Sequence, residues 1–190
     1  DGSLSREPLV NAFGLLFSPS RGLVVYSPIV LITLLSLRRA WNEGLRGMLL
    51  WCWLAAFAQF ALYAGYSVWW GGYTYGPRYL IDLLPLLVPL AAVGAAILAR
   101  TRVGALAGTA ALAWSVLLAA TGAWCYPAEA WNSDPVNVDR NHERLWEWRD
   151  AQFVRAWRRG AHRDNFSLML PGAFTAPAEK PARPTPVAAK

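Results

Sequence analysis

Charged residues are scarce in this chain of 190 residues, and cysteine and histidine are rarer still. Asp, Glu, Lys and Arg make up 16% of the sequence, whereas soluble domains carry about 25%. Apolar residues make up 55%, which excludes intrinsic disorder for most of the chain. Two cysteines exclude a disulfide scaffold. His142 and His162 have no cysteine pair beside them, so the sequence predicts no metal site.

The short motifs of common soluble enzymes are also missing. The sequence contains no GxxxxGKS phosphate loop, no GxGxxG, no HExxH and no GxSxG. No cofactor is therefore indicated, and a divalent cation is left open. The chain begins at Asp1 without a signal-peptide pattern. We expect it to be the C-terminal part of a longer protein, with the missing N-terminal portion as its partner.

Four apolar segments dominate the first 126 residues. A membrane span needs about 20 apolar residues in a helix, and the segments 47–70, 79–99 and 103–126 satisfy this requirement. A fourth segment, 23–37, is shorter. The sequence therefore predicts an all-α polytopic membrane protein with about four spans over 23–126, preceded by an external or re-entrant segment at 1–22.

Basic residues next to the spans set the expected orientation, because cytoplasmic loops carry more Lys and Arg. The links around 38–46 and 100–102 are rich in arginine, whereas the link 71–78 is aromatic and carries only Arg78. We therefore place the first two links inside. The segment 1–22, the aromatic link and the C-terminal tail then lie outside.

The last third of the chain has a different composition. Within 127–175, apolar and basic residues alternate near helical spacing, which predicts an amphipathic helix at the membrane surface, capped by Asp139 or Asn141 and ending near Arg159. Acidic residues interrupt the basic face, which argues against nucleic acid as a partner. The Pro- and Ala-rich tail 176–190 is predicted to be disordered.

Two external segments could bind an anion. The first is the turn at 18–22, where Ser18, Ser20 and Arg21 offer hydroxyls and a positive charge at a helix start. The alternative is a plain helix cap, with Arg21 extending to lipid headgroups.

In the second segment, Arg78 begins the third span and Asp82 follows four residues later. The planar guanidinium of Arg78 suits a phosphate. Asp82 is either a functional acid inside a span or a structural residue that pairs with Arg78 at i,i+4 spacing.

The stretch 78–85, RYLIDLLP, resembles the RYLxPxxP element of bacterial polytopic glycosyltransferases of the GT-C class. This class includes the protein O-mannosyltransferases and the lipid A aminoarabinose transferase. The turn at 18–22 and the stretch from Trp131 to Trp146 resemble uncharacterised members of the same group, so that the resemblance covers residues 14–150.

The resemblance implies an enzyme of the bacterial inner membrane that takes a sugar from a polyprenyl-phosphate donor at the outer face. Arg78 and Arg21, with Ser18, Ser20 and Tyr79, would contact the donor phosphate.

The chain departs from the family pattern at two points. Asp82 replaces the first proline of the element. The carboxylate that these enzymes hold in an early external loop also has no counterpart, so the catalytic residue is unknown. Asp82 could act as a base only in a water-filled cleft. Two other functions stay open: a non-catalytic membrane scaffold or assembly protein, and part of a lipid-linked glycan transporter.

Overall fold

The computed structural model describes residues 3–37, 46–125, 127–162 and 165. Its α-helices are α1 (Pro8–Phe17), α2 (Leu23–Tyr26), α3 (Arg46–Ala64), α4 (Leu84–Leu98), α5 (Arg102–Trp124) and α6 (Gln152–Arg159). Its 3₁₀ helices span Pro28–Leu35, Arg78–Leu83, Ala128–Asn132, His142–Trp146 and Trp148–Asp150. Within the described ranges there is no β-strand, only two isolated bridges.

Three helices are long and apolar enough to cross a membrane: Arg46–Ala64, Arg78–Leu98 and Arg102–Trp124. The second consists of the 3₁₀ turn at 78–83 and α4. These helices leave large apolar side chains uncovered, among them Trp51 (72% exposed), Phe57 (70%) and Leu106 (72%). Such continuous apolar surface suits lipid rather than water. The all-helical prediction is confirmed for the described residues, and three of the four predicted spans coincide with helices that are long and apolar enough to cross a membrane.

The segment 23–37 differs from the expected continuous span. Helix α2 ends at Tyr26, Ser27 adopts φ −139° and ψ 64°, and a 3₁₀ helix begins at Pro28. A proline disfavours the α conformation at the residue before it, which favours a break at Ser27. The Pro28–Leu35 helix packs along α4 and α5. Part of the predicted inner link, residues 38–45, lies outside the described residues.

The external segment also differs from its prediction. The α-helix begins only after Ala151, so neither Asp139 nor Asn141 caps it, and residues 142–150 form two short 3₁₀ turns. Arg144 holds the backbone of 131–136 close to this segment, because it donates hydrogen bonds to the carbonyls of Trp131, Asp134 and Val136. A continuous helix would carry the chain away from these carbonyls. The predicted disordered tail 176–190 lies outside the described residues.

Helix α6 packs on protein with part of its apolar face. Phe153 is buried, and Trp157 lies edge-on to Trp114 of α5 with the ring centroids 5.9 Å apart. The Nε1 of Trp157 also donates a hydrogen bond to Oγ1 of Thr121 at 2.7 Å. The segment 127–162 is therefore fastened to the C-terminal half of α5.

Gly94 sets the closest crossing between helical segments. A Cβ placed on Gly94 would lie 2.0 Å from the carbonyl oxygen of Ile32 in the Pro28–Leu35 helix. Real Cβ atoms do not approach an oxygen so closely, so only glycine fits this position of α4. Small residues of this kind let helix backbones approach closely in membranes.

We predict that Gly94→Ala lowers the free energy of unfolding by about 1–3 kcal/mol, because overpacking forces the backbones apart. Gly47→Ala is the matched control, since a Cβ there meets no atom of the described residues within 4 Å. Thermal unfolding of both variants in detergent, followed by circular dichroism, measures the difference. Equal midpoints for the two variants would contradict the close crossing.

Candidate functional site

Arg21 lies at the centre of a buried hydrogen-bond network. Only 1% of its surface is exposed. Its Nε donates to the carbonyl of Trp70 at 2.7 Å, and its Nη1 donates to the carbonyl of Ser20 and to Oε1 of Gln152. Its Nη2 donates to Oδ1 of Asn132 at 2.7 Å and to the carbonyl of Gly72 at 3.2 Å. All five N–H groups of the guanidinium are therefore used.

The partners of Arg21 come from three separate segments. Gln152 strengthens the link, because its Nε2 donates to the carbonyl of Thr74 at 2.8 Å and its Oε1 accepts from the backbone N–H of Gly76 at 3.1 Å. Asn132 donates to the same carbonyl of Thr74 at 3.3 Å. The turn at 18–22, the aromatic link and the segment 127–162 are thus joined as one unit.

Burial lowers the pKa of Arg21 to about 10, since desolvation disfavours its charged form. That value is still far above neutral pH, so the side chain stays cationic in the folded protein. The five acceptors compensate for the water that the charge has lost. Arg21 is therefore a structural cation in this conformation.

Ser18 and Ser20 are buried with Arg21. The hydroxyl of Ser18 donates to the carbonyl of Leu145 at 2.6 Å and accepts from the backbone N–H groups of Ser20 and Arg21, each at 3.2 Å. The hydroxyl of Ser20 has no partner within the described part of the chain. This turn therefore faces protein, and the donors of Ser18 and Arg21 are engaged within the chain. A phosphate site at 18–22 stays a prediction.

Arg78 has the opposite surroundings. Its side chain is exposed and lines an open cleft of about 490 Å³ together with Gly71, Tyr79, Ile81 and Asp82. Over the described ranges, its guanidinium makes no hydrogen bond and no ion pair. Three predicted site residues, Arg78, Tyr79 and Asp82, thus share one cleft.

Asp82 pairs with Tyr63 rather than with Arg78. The hydroxyl of Tyr63 donates to Oδ2 of Asp82 at 2.9 Å, and the ring of Tyr63 stacks on that of Tyr79 at 4.9 Å. The expected i,i+4 pair fails because residues 78–83 form a 3₁₀ helix. With three residues per turn, residue i+4 lies about 120° around the helix axis from residue i. The carboxylate instead links the helix Arg78–Leu98 to α3.

The aromatic link forms the wall of this cleft. Gly71, Gly72 and Gly76 adopt φ values of 77°, 68° and 65°, a left-handed conformation that other residues rarely adopt. These bends return the chain so that Gly71 faces Arg78, and a Cβ on Gly71 would lie 3.6 Å from the Cβ of Arg78. Arg21 holds the carbonyls on either side of Gly71 from the protein interior. Both arginines therefore lie at the same end of the helices, but only Arg78 enters the cleft.

Sequence reasoning missed Asn132, Gln152 and Tyr63. The side-chain amides of Asn132 and Gln152 lie 111 and 131 positions from Arg21 in the sequence. No local sequence pattern marks them as its hydrogen-bond partners. In the described ranges, no group of three His, Cys, Asp or Glu side chains could hold a metal ion. The chain matches no protein-family model, no curated protein and no solved structure.

We predict that Arg21→Ala and Arg78→Ala differ sharply in stability. Arg21→Ala should lower the free energy of unfolding by about 3–5 kcal/mol, the cost of breaking a buried charged network. Arg78→Ala should change it by less than about 0.5 kcal/mol, because the side chain is exposed and unpaired. Chemical unfolding in mixed micelles compares the two. A soluble, stable Arg21→Ala protein would contradict the structural assignment of Arg21.

Proposed function

We propose that this chain is part of a membrane-embedded glycosyltransferase that uses a polyprenyl-phosphate-linked sugar at the extracytoplasmic face of the bacterial inner membrane. The observation that carries the proposal is the exposed, unpaired guanidinium of Arg78 in a cleft at the end of a span. The cleft contains the part of the RYLIDLLP stretch that resembles the GT-C element.

The chemistry of a lipid-phosphate donor fits the position of Arg78. The lipid tail of such a donor lies in the hydrocarbon region, and its phosphate lies at the headgroup level. Arg78 begins the span Arg78–Leu98, so its charge lies at that level. Negative charge grows on the phosphate as the sugar leaves, and a fixed cation stabilises the transition state more than the ground state.

Tyr79 and Asp82 would shape the cleft around the phosphate. Tyr79 is held by its stacking on Tyr63, and the carboxylate of Asp82 is held by the hydroxyl of the same residue. A carboxylate repels a phosphate, so we assign Asp82 as a positioning residue that keeps Tyr63 and Tyr79 in place. The catalytic carboxylate would come from outside this chain.

A non-catalytic scaffold is the second candidate. The network around Arg21 favours it, because one of the two arginines expected at the donor phosphate serves to join three segments of the protein. A scaffold needs no open cation, however, and Arg78 would then be only an anchor to lipid headgroups. Transfer activity separates the two candidates.

We predict that Arg78→Ala in the full-length protein lowers sugar transfer by about 10²–10³-fold, as expected when a preorganised charge contact is lost. Arg140→Ala is the matched control, because Arg140 is also exposed at the outer end and lies away from the cleft. Transfer from a polyprenyl-phosphate sugar in proteoliposomes, with insertion checked by protease protection, measures the effect. Unchanged transfer by Arg78→Ala would favour the scaffold.

We predict that Asp82→Asn lowers transfer by less than about tenfold and leaves the pH profile unchanged. Asparagine keeps an oxygen that accepts from Tyr63 but cannot take up a proton. Tyr63→Phe, which removes the same hydrogen bond, should have an effect of similar size. A loss of about 10²–10⁴-fold in Asp82→Asn alone would instead identify Asp82 as the general base.

A further inference from the structure

A second groove lies next to the cleft and has a different lining. It measures about 310 Å³, near the lower end of the range for small-molecule sites, and its walls include Arg6, Glu7, Trp69, Trp70, His142 and Trp146. Trp70 precedes Gly71, which lines the Arg78 cleft, so consecutive residues of the chain line the two openings. Nothing in the proposed transfer chemistry accounts for this second groove.

The aromatic wall of the groove is fixed. The Nε1 of Trp70 donates to Oδ1 of Asp139 at 2.9 Å, and the imidazole ring of His142 lies 4.3 Å from the ring of Trp70. Trp146 stacks on Phe13 with the centroids 5.7 Å apart and the rings inclined by 17°. These contacts hold the rings before any ligand arrives, so binding would require little ordering of side chains.

The rim of the groove is polar and unpaired. The side chains of Arg6 and Glu7 are exposed, and in the described part of the chain neither joins an ion pair or a side-chain hydrogen bond. Together they offer cationic donors and a carboxylate acceptor a few atoms from aromatic rings. A wall of aromatic rings with a few polar groups on one edge is typical of a ligand site.

An aromatic belt at the membrane interface does not explain this arrangement. Belt tryptophans lie toward the headgroups with their rings uncovered, whereas Trp69 and Trp70 are buried in the protein. Trp146 is 37% exposed and stacks on Phe13, which leaves part of its ring open to the groove. Hydrocarbon would also not enter a groove lined by Arg6 and Glu7, because their charges would lose water without a partner. The natural occupant has an apolar face for the rings and hydrogen-bonding groups along its edge.

A pyranose ring has this combination, with C–H groups on one face and hydroxyls around its rim. We infer that the groove binds a sugar ring of an oligosaccharide at the outer end of the membrane helices. This inference does not rest on the proposed transfer reaction, because it uses different residues and would hold for a scaffold as well.

The test is binding of three named oligosaccharides to the detergent-solubilised chain: the β-1,4-linked trimer of N-acetylglucosamine, maltotriose and α-mannotriose. Isothermal titration gives the Kd, and saturation-transfer NMR identifies the ring protons in contact. We expect at least one trimer to bind and sorbitol, which has hydroxyls but no ring face, not to bind. If none of the three trimers binds, the inference is overturned.

Two variants locate the site. Trp146→Ala and Glu7→Gln should each weaken the binding by about tenfold, the loss expected for one aromatic or charge-assisted contact. Trp148→Ala and Glu147→Gln are the matched controls, since both residues are exposed on the same segment and lie outside the groove. Glu7 is itself exposed, so its variant tests the site even where the tryptophan variant unfolds. Equal losses in test and control variants would overturn the inference.

A phosphate titration separates this inference from the proposed function. Arg78→Ala should abolish binding of farnesyl phosphate and leave the oligosaccharide Kd within about twofold, because the two openings use different side chains. Loss of oligosaccharide binding in Arg78→Ala, with Glu7→Gln unaffected, would place the sugar in the Arg78 cleft and refute the groove. Loss of phosphate binding alone bears only on the proposed function.

Discussion

The burial of one guanidinium group determines how the turn at 18–22, the aromatic link and the segment 127–162 fit together. A charge removed from water is costly unless every donor finds an acceptor, and Arg21 meets this condition with acceptors from three distant segments. The three segments must therefore be in place together. Trp131 adds to the arrangement, because the guanidinium of Arg21 lies 5.7 Å from its ring and that of Arg144 lies 4.3 Å from it.

The hydrogen bonds of Arg21 explain how the open cleft at Arg78 keeps its shape next to the apolar surface of the helices. The aromatic link contains three glycines with positive φ, and such a link would sample many conformations on its own. Arg21 and Gln152 hold its carbonyls from the inside, while Tyr75 donates to the carbonyl of Leu118 on α5 at 3.0 Å. The wall of the cleft is thus fixed, and Arg78 opposite that wall needs no internal partner.

The apolar character of the spans was predictable from the sequence, because length and composition alone decide whether a helix suits a bilayer. The break at Ser27 and Pro28 is consistent with the preference of a residue before proline for extended backbone. Counting apolar residues over 23–37 does not take that preference into account. The structure of residues 139–159 was harder to predict. Their apolar residues recur near helical spacing, but the sequence does not show that Arg144 donates to the carbonyls of 131–136 and that the α-helix begins only after Ala151.

Arg21 and Arg78 show the limit of such reasoning. Both follow a turn rich in Ser or Gly and both precede an apolar segment, so the sequence gives them the same expected role. The two residues differ because Arg21 is buried and finds acceptors more than one hundred positions away, whereas Arg78 is exposed. No local sequence pattern predicts the burial or the distant acceptors. The pairing of Asp82 was missed for a related reason, because i,i+4 spacing presumes an α-helix and residues 78–83 form a 3₁₀ helix.

Residues 69–71 line the two openings one after the other, and this geometry bears on the choice between scaffold and transferase. A transferase must hold two substrates close together in fixed orientation, since proximity and orientation supply a large part of rate enhancement. A cation in one opening and an aromatic, polar groove in the next would meet that need. A scaffold that binds glycans would use the groove as well, so the exposed cation of Arg78 is the feature that a scaffold does not require.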